Sequence, residues 1–181
     1  SKELLVQNST FTFDNPTRAI RCAHFIPPCN ASFVNTIFRN ANGGNAAGGA
    51  CISCASSSSE DVILIEDCKF DNCFITRESG ASLAICFNPI SAEVKLRHNF
   101  FWNMVKHYVV ILVYNDNPAI DRQTKFEDCY FEHNSYSIGG DGGGSGMWVQ
   151  KGGSAHSLIF ETCTFLNNSC TNSLGGGALS F

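Results

Sequence analysis

Three groups of residues in this 181-residue chain have types and spacings that could do chemistry. The richest is acidic: Asp116, Asp121, Glu127, Asp128 and Glu132, with Arg122, Lys125 and His133 close by. Two carboxyl groups hydrolyse a glycosidic bond when one protonates the leaving oxygen and the other acts as base or nucleophile, at a defined separation across the sugar. Outward positions of a strand must be polar in any case, so a solvated face is the competing reading. The second group, Cys51-Ile52-Ser53-Cys54, has the spacing of a zinc half-site or redox pair. No matching second half-site follows, and His24, His98, His107, His133 and His156 are scattered, so a disulfide partner or core packing fits better than zinc. The third, Gly139 to Gly146, lacks the Gly-Lys-Ser/Thr of a phosphate loop and reads as an expanded surface loop. No catalytic, metal or cofactor site is assigned. Trp102 and Trp148 could present stacking surfaces to sugars, Trp102 the better because its neighbour is an inward Phe.

Ten cysteines, an even number, favour an oxidising extracellular or cell-surface setting over a reduced core of small hydrophobes. Cys22 and Cys29 flank Pro27-Pro28 and could close a small loop. Asn8, Asn30 and Asn167 open glycosylation sequons, but 17 Asn and 28 Ser or Thr give about 2.6 such matches by chance, so the three carry no weight on compartment.

The elements that must hold these residues follow from a repeat. Phe38, Phe70, Phe101, Phe131 and Phe165 lie 32, 31, 30 and 34 residues apart, each with a small or polar residue two earlier and Asn two or three later. A second marker keeps phase: Gly48-Gly49-Ala50, Ser79-Gly80-Ala81, Ser145-Gly146-Met147 and Gly176-Gly177-Ala178, with Tyr108-Val109-Val110-Ile111 in their place in the middle repeat. A partial leading copy spans Phe11-Thr12-Phe13-Asp14-Asn15. Runs such as Val62-Ile63-Leu64-Ile65-Glu66 are β-branched and alternating, which predicts strands. A unit of about 31 residues with two or three short strands cannot bury its own apolar face, but stacked copies can. The expected fold is all-β: a right-handed, single-stranded parallel β-helix of five to six coils, with a partial coil and loop region over 1–30 and the repetitive helix over 31–181 in one domain.

In that fold the five Phe form an inward ladder, and Asn40, Asn72, Asn103, Asn134 and Asn168 form a turn ladder bonded from coil to coil. Cys68 and Phe70 face inward, Lys69 and Asp71 outward. Cys129 and Cys163 share one inward repeat position, so they are neighbours able to pair or to pack.

Phe-x-x-Asn alternating with Gly-Gly-Ala-(Ile/Leu/Val) resembles the repeat of the chlamydial polymorphic outer-membrane proteins and similar microbial surface proteins. The best copy is Phe165-Leu166-Asn167-Asn168 with Gly176-Gly177-Ala178-Leu179; Phe131-Glu132-His133-Asn134 also fits. Asn40, Asn72 and Asn103 come two residues after their Phe, and Met147 replaces the Ala. The resemblance implies right-handed β-helices acting as surface adhesins, and hence adhesion or display, with host or surface glycans or proteins as partners.

Composition narrows the classes further. A 44% hydrophobic, 15% charged chain can build a core, and a net charge of -4 gives no field for holding nucleic acid. The longest apolar run, Tyr108 to Tyr114, is seven residues, far short of a helical membrane span. The expected function is a non-catalytic structural or adhesive surface module without cofactors; a carbohydrate-active β-helix enzyme is the alternative. Because Gly176 to Phe181 enters a strand and stops, the expected partner at that end is more β-helix, by continuation or by head-to-tail stacking of another copy.

Overall fold

The computed structural model describes residues 2–12, 23–25, 29–41, 51–54, 62–73, 85–90, 93–102, 105–106, 110–114, 122–136, 147–150, 156–170 and 179–180. Strands β1 (Lys2–Gln7), β4 (Cys29–Val34), β7 (Val62–Glu66), β10 (Glu93–Arg97), β14 (Arg122–Glu127) and β18 (His156–Glu161) form one sheet in that order, the long-strand sheet. A second, the short-strand sheet, holds β2 (Thr10–Thr12), β5 (Ile37–Arg39), β8 (Lys69–Asp71), β11 (Phe100–Trp102), β15 (Tyr130–Glu132) and β19 (Thr164–Leu166). The third holds β3 (Ala23–Phe25), β6 (Ile52–Cys54), β9 (Ile85–Ile90), β13 (Val110–Tyr114), β17 (Met147–Gln150) and β21 (Leu179–Ser180). A three-stranded sheet joins β12 (Val105–Lys106), β16 (Ser135–Tyr136) and β20 (Ser169–Cys170). Among the described residues there is no helix.

Consecutive strands enter different sheets, while equivalent strands of successive repeats pair in parallel, as in Phe38↔Phe70, Phe70↔Phe101 and Phe101↔Phe131. This is the architecture of a parallel β-solenoid. β13 fills the middle repeat's place in the third sheet, where the sequence substitutes apolar residues for Gly-Gly-Ala.

Strand alternation decides what is buried. In β7, Ile63 and Ile65 are buried while Val62, Leu64 and Glu66 are not, and one row of the long-strand sheet places Phe33, Ile65, Leu96 and Phe126 inside. The short-strand sheet contributes one ring per repeat: Phe11, Phe38, Phe70, Phe101, Phe131 and Phe165 stack at centroid distances of 5.2, 5.0, 4.8, 4.8 and 4.7 Å, with planes within 11°. Those distances match the strand spacing, so each ring lies on its counterpart with little lateral offset. The long-strand rings tilt against them, Phe126 at 6.2 Å and 51° from Phe131. Phe11 stands in register with Phe38, so the leading copy is phased on Phe11; Phe13 lies outside the described residues.

Two bends connect these faces, and among the described residues ten non-glycine residues with positive φ make them. Between long and short strands they are Asn8, Asn35, Asp67, His98, Asp128 and Thr162; after the short strand they are Asn40, Asn72, His133 and Asn167. Asn, Asp and His tolerate this left-handed region best, whereas β-branched Thr162 is an outlier there. Its hydroxyl donates to the Asp128 carboxylate. The residue after each left-handed position turns inward and must satisfy backbone groups in a dry interior. At the first bend these are Ser9, Thr36, Cys68, Asn99, Cys129 and Cys163, each donating to a nearby strand carbonyl. Buried Asn99 does most: its Nδ2 donates to Ile65 O at 2.8 Å and its Oδ1 accepts the Cys68 N–H at 3.0 Å.

The single Asn turn ladder is therefore corrected to two columns. Asn40 and Asn72 occupy the left-handed position and join side chain to side chain, Asn72 Nδ2 donating to Asn40 Oδ1 at 2.9 Å. Asn134 and Asn168 sit one place on, at the inward position, donating to Phe101 O and Phe131 O at 3.2 and 2.9 Å. A one-residue offset moves an amide from the outer rim to the interior. Asn103 lies outside the described residues. Asp71 also departs from an open outward position: it is 7% exposed, covered by Arg39, whose Nε donates to its carboxylate at 3.0 Å.

Candidate functional site

The long-strand sheet carries charge on its outside. Glu66, Arg97, Glu127 and Glu161 stand side by side through the strand register. Arg97 reaches Glu66 at 3.9 Å and Glu127 at 3.4 Å, and Lys125 reaches Glu127 at 3.5 Å and Glu161 at 2.9 Å. The Glu161 hydrogen bond raises the Lys125 pKa. At the adjoining bend His98 lies between Asp67 and Asp128, 3.4 Å from each. Each described acid of the candidate glycosidic cluster thus has a neighbouring cation or imidazole: Glu127 has Arg97 and Lys125, Asp128 has His98, and Glu132 has His133 at 3.2 Å. Glu127 is on β14, Asp128 at the bend and Glu132 on β15, so the sequence cluster is spread over two sheets and their junction. Asp116 and Asp121 lie outside the described residues.

The short-strand sheet carries aromatic residues instead. Phe100 and Trp102 flank inward Phe101 and point outward, half-buried, and Tyr130 on the next strand stacks on Phe100 at 5.1 Å and 19°. The Lys69 ammonium sits 5.4 Å from the Phe100 ring centre and 5.7 Å from that of Trp102, within cation–π range of both. Asp71 and Glu132 stand on either side of Trp102 in register. The result is three outward rings, one cation resting on two of them, and polar groups at the margin. Trp102 was legible as outward; Phe100 and Tyr130 were not singled out, although each directly precedes a ladder Phe.

The thiols form an interior feature. Cys68, Cys129 and Cys163 are free, each bonded to strand carbonyls. Burial pushes the Cys68 thiol up to about 11. Cys129 and Cys163 interact across neighbouring strands; the hydrogen bond from Cys129 lowers Cys163 to about 7, while that partner and burial raise Cys129. Cys22 lies outside the described residues, and Cys29 opens β4. Cys51 is buried, Cys54 ends β6, and among the described residues no three His, Cys, Asp or Glu gather as metal ligands.

Of the sequons, Asn8 and Asn167 are exposed at left-handed bends, while Asn30 lies within β4 with its Oδ1 accepting the Val62 N–H at 2.9 Å. Among the described residues no helix is long and apolar enough to cross a membrane. No protein-family model, curated protein or solved structure matches the chain.

Proposed function

We propose that this chain is a non-catalytic structural and adhesive module of an extracellular or cell surface, built as a right-handed parallel β-helix of five to six coils of about 31 residues. The observation that carries the adhesive reading is the outward group Phe100, Trp102 and Tyr130, mounted on the strands that hold the interior Phe stack. Large rings left half-buried on a rigid outer face lose little freedom on binding, and aromatic residues of this kind dominate interface energetics. The parallel register supports the structural reading, because edge strands at either end of each sheet can pair with a further coil, from the same polypeptide or from a second copy. The resemblance to polymorphic outer-membrane repeats points the same way.

The reading is tested by incubating the chain with a panel of polysaccharides and microbial or host cell surfaces, scoring retention and product formation separately. Retention without new reducing or unsaturated ends is expected. Turnover that disappears in Asp121→Asn or Asp128→Asn would replace the module with a carbohydrate-active enzyme.

A further inference from the structure

We infer that Cys129 and Cys163 form a redox site, a dithiol that closes to a disulfide between neighbouring coils when it meets a small-molecule disulfide. The register brings them together. Glu127↔Glu161 before the bend and Tyr130↔Thr164 after it share one offset, so the two cysteines between them face each other, and the Thr164 N–H donates to the Cys129 carbonyl at 2.9 Å. Neighbouring strands lie about 4.8 Å apart, inside the roughly 4.4 to 6.8 Å over which two Cα atoms accept a disulfide. Both side chains pack into the interior and interact with each other. In the described strand pairings no other cysteine stands opposite a cysteine.

The rest of the column sets the roles. Asn99 stands between Cys68 and Cys129, fixed by its bonds to Ile65 O at 2.8 Å and from the Cys68 N–H at 3.0 Å, so Cys68 is separated from the pair. Cys163 is the more open of the two, and the hydrogen bond from Cys129 lowers its pKa, which makes its thiolate the nucleophile. It attacks one sulfur of the small disulfide, whose S–S bond breaks and releases one thiolate, leaving a mixed disulfide on Cys163. The hydrogen bond to Cys163 that raises the Cys129 pKa is then lost. Cys129 gives up its proton, attacks the Cys163 sulfur and expels the second thiolate. Two protein thiols are oxidised to one disulfide, the small disulfide is reduced to two thiols, and the two cysteine protons end on them. Closure gives up thiol contacts to Leu96 O at 3.4 Å and Phe126 O at 3.5 Å, a small loss because a thiol is a weak donor.

The test incubates the reduced, intact chain with oxidised glutathione at stepped ratios to reduced glutathione, quenches with N-ethylmaleimide and maps the tryptic peptides by mass. A Cys129–Cys163 link between peptides on either side of Lys151 should be the first disulfide to form, and dithiothreitol should reverse it. Oxidation should also raise the melting temperature, because the bond ties two coils together. Cys129→Ser should stall at a glutathione adduct on Cys163, and Cys163→Ser should leave Cys129 unmodified. Unchanged far-UV circular dichroism shows that both variants remain folded, and the link in the unsubstituted chain is read without them. Both thiols still free at full oxidation, Cys163 joined first to a different cysteine, or the same glutathione adduct on Cys163 with and without Cys129→Ser overturns the inference.

Discussion

The outer faces of the long-strand and short-strand sheets share one backbone register and one interior, yet their chemistry is opposite. The first presents Glu66, Arg97, Glu127, Lys125 and Glu161 as a run of ion-paired charges. The second presents Phe100, Trp102 and Tyr130 with a cation on their rings. Stacking the coils constrains only what points inward, so the inner residues repeat and the outer ones are free to differ. A partly exposed charge ladder adds solubility and little stability. Half-buried rings at equivalent outer positions add nothing to solubility, which marks the short-strand face as the place to look for binding.

Both outer faces are expected to rest on one shared interior. Phe101→Ala, behind the aromatic face, and Phe126→Ala, behind the charged one, should each cost about 3–5 kcal/mol in urea unfolding, because each deletes a fully buried ring from a stack. A loss at only one position would mean separate cores. Next in size is Asn99→Ala at the junction, expected to cost about 1–3 kcal/mol by leaving the Cys68 N–H and the Ile65 carbonyl without their side-chain partner. Smaller still are the ion pairs. A double-mutant cycle should give about 1 kcal/mol for Arg39–Asp71, where the acid is covered, and under about 0.5 kcal/mol for Arg97–Glu127. Equal couplings would erase that difference between the faces.

Proton linkage sharpens the interior half of the comparison. The Cys68 thiol is raised on folding from 9.0 to about 11, so the unfolded chain releases its proton first. Its contribution to stability is therefore fully present below pH 9.0 and lost as pH rises towards about 11, a loss that Cys68→Ser should reduce. Iodoacetamide should label Cys163 in the native protein at lower pH than an ordinary thiol and leave Cys68 unlabelled there, as mass mapping of peptides would show.

Much of the shared interior was legible in the sequence because a Phe recurring every 30 to 34 residues inside short alternating runs has few structural meanings. The bends were legible only in part. Allowing Asn to fall two or three residues after Phe merged an outer left-handed column, Asn40 and Asn72, with an inner amide column, Asn134 and Asn168. The sharper signal lay on the other side: Asn35, Asp67, His98, Asp128 and Thr162 each precede their Phe by three, where the chain adopts positive φ. Asp71 was legible as outward but not as covered, because alternation gives direction, not cover, and the covering Arg39 lies 32 residues away in sequence. The outward aromatic stack needed the register itself, since Phe100 and Tyr130 meet only across neighbouring strands.

The adhesive reading is tested most directly by disabling the two outer faces in turn and measuring retention of the intact chain on a polysaccharide or cell surface from the panel that retains it. Trp102→Ala with Tyr130→Ala should abolish retention at unchanged melting temperature, while Arg97→Ala with Lys125→Ala should leave it within about twofold. Retention that survives loss of the rings but fails on loss of the charges would place binding on the long-strand sheet and contradict the account.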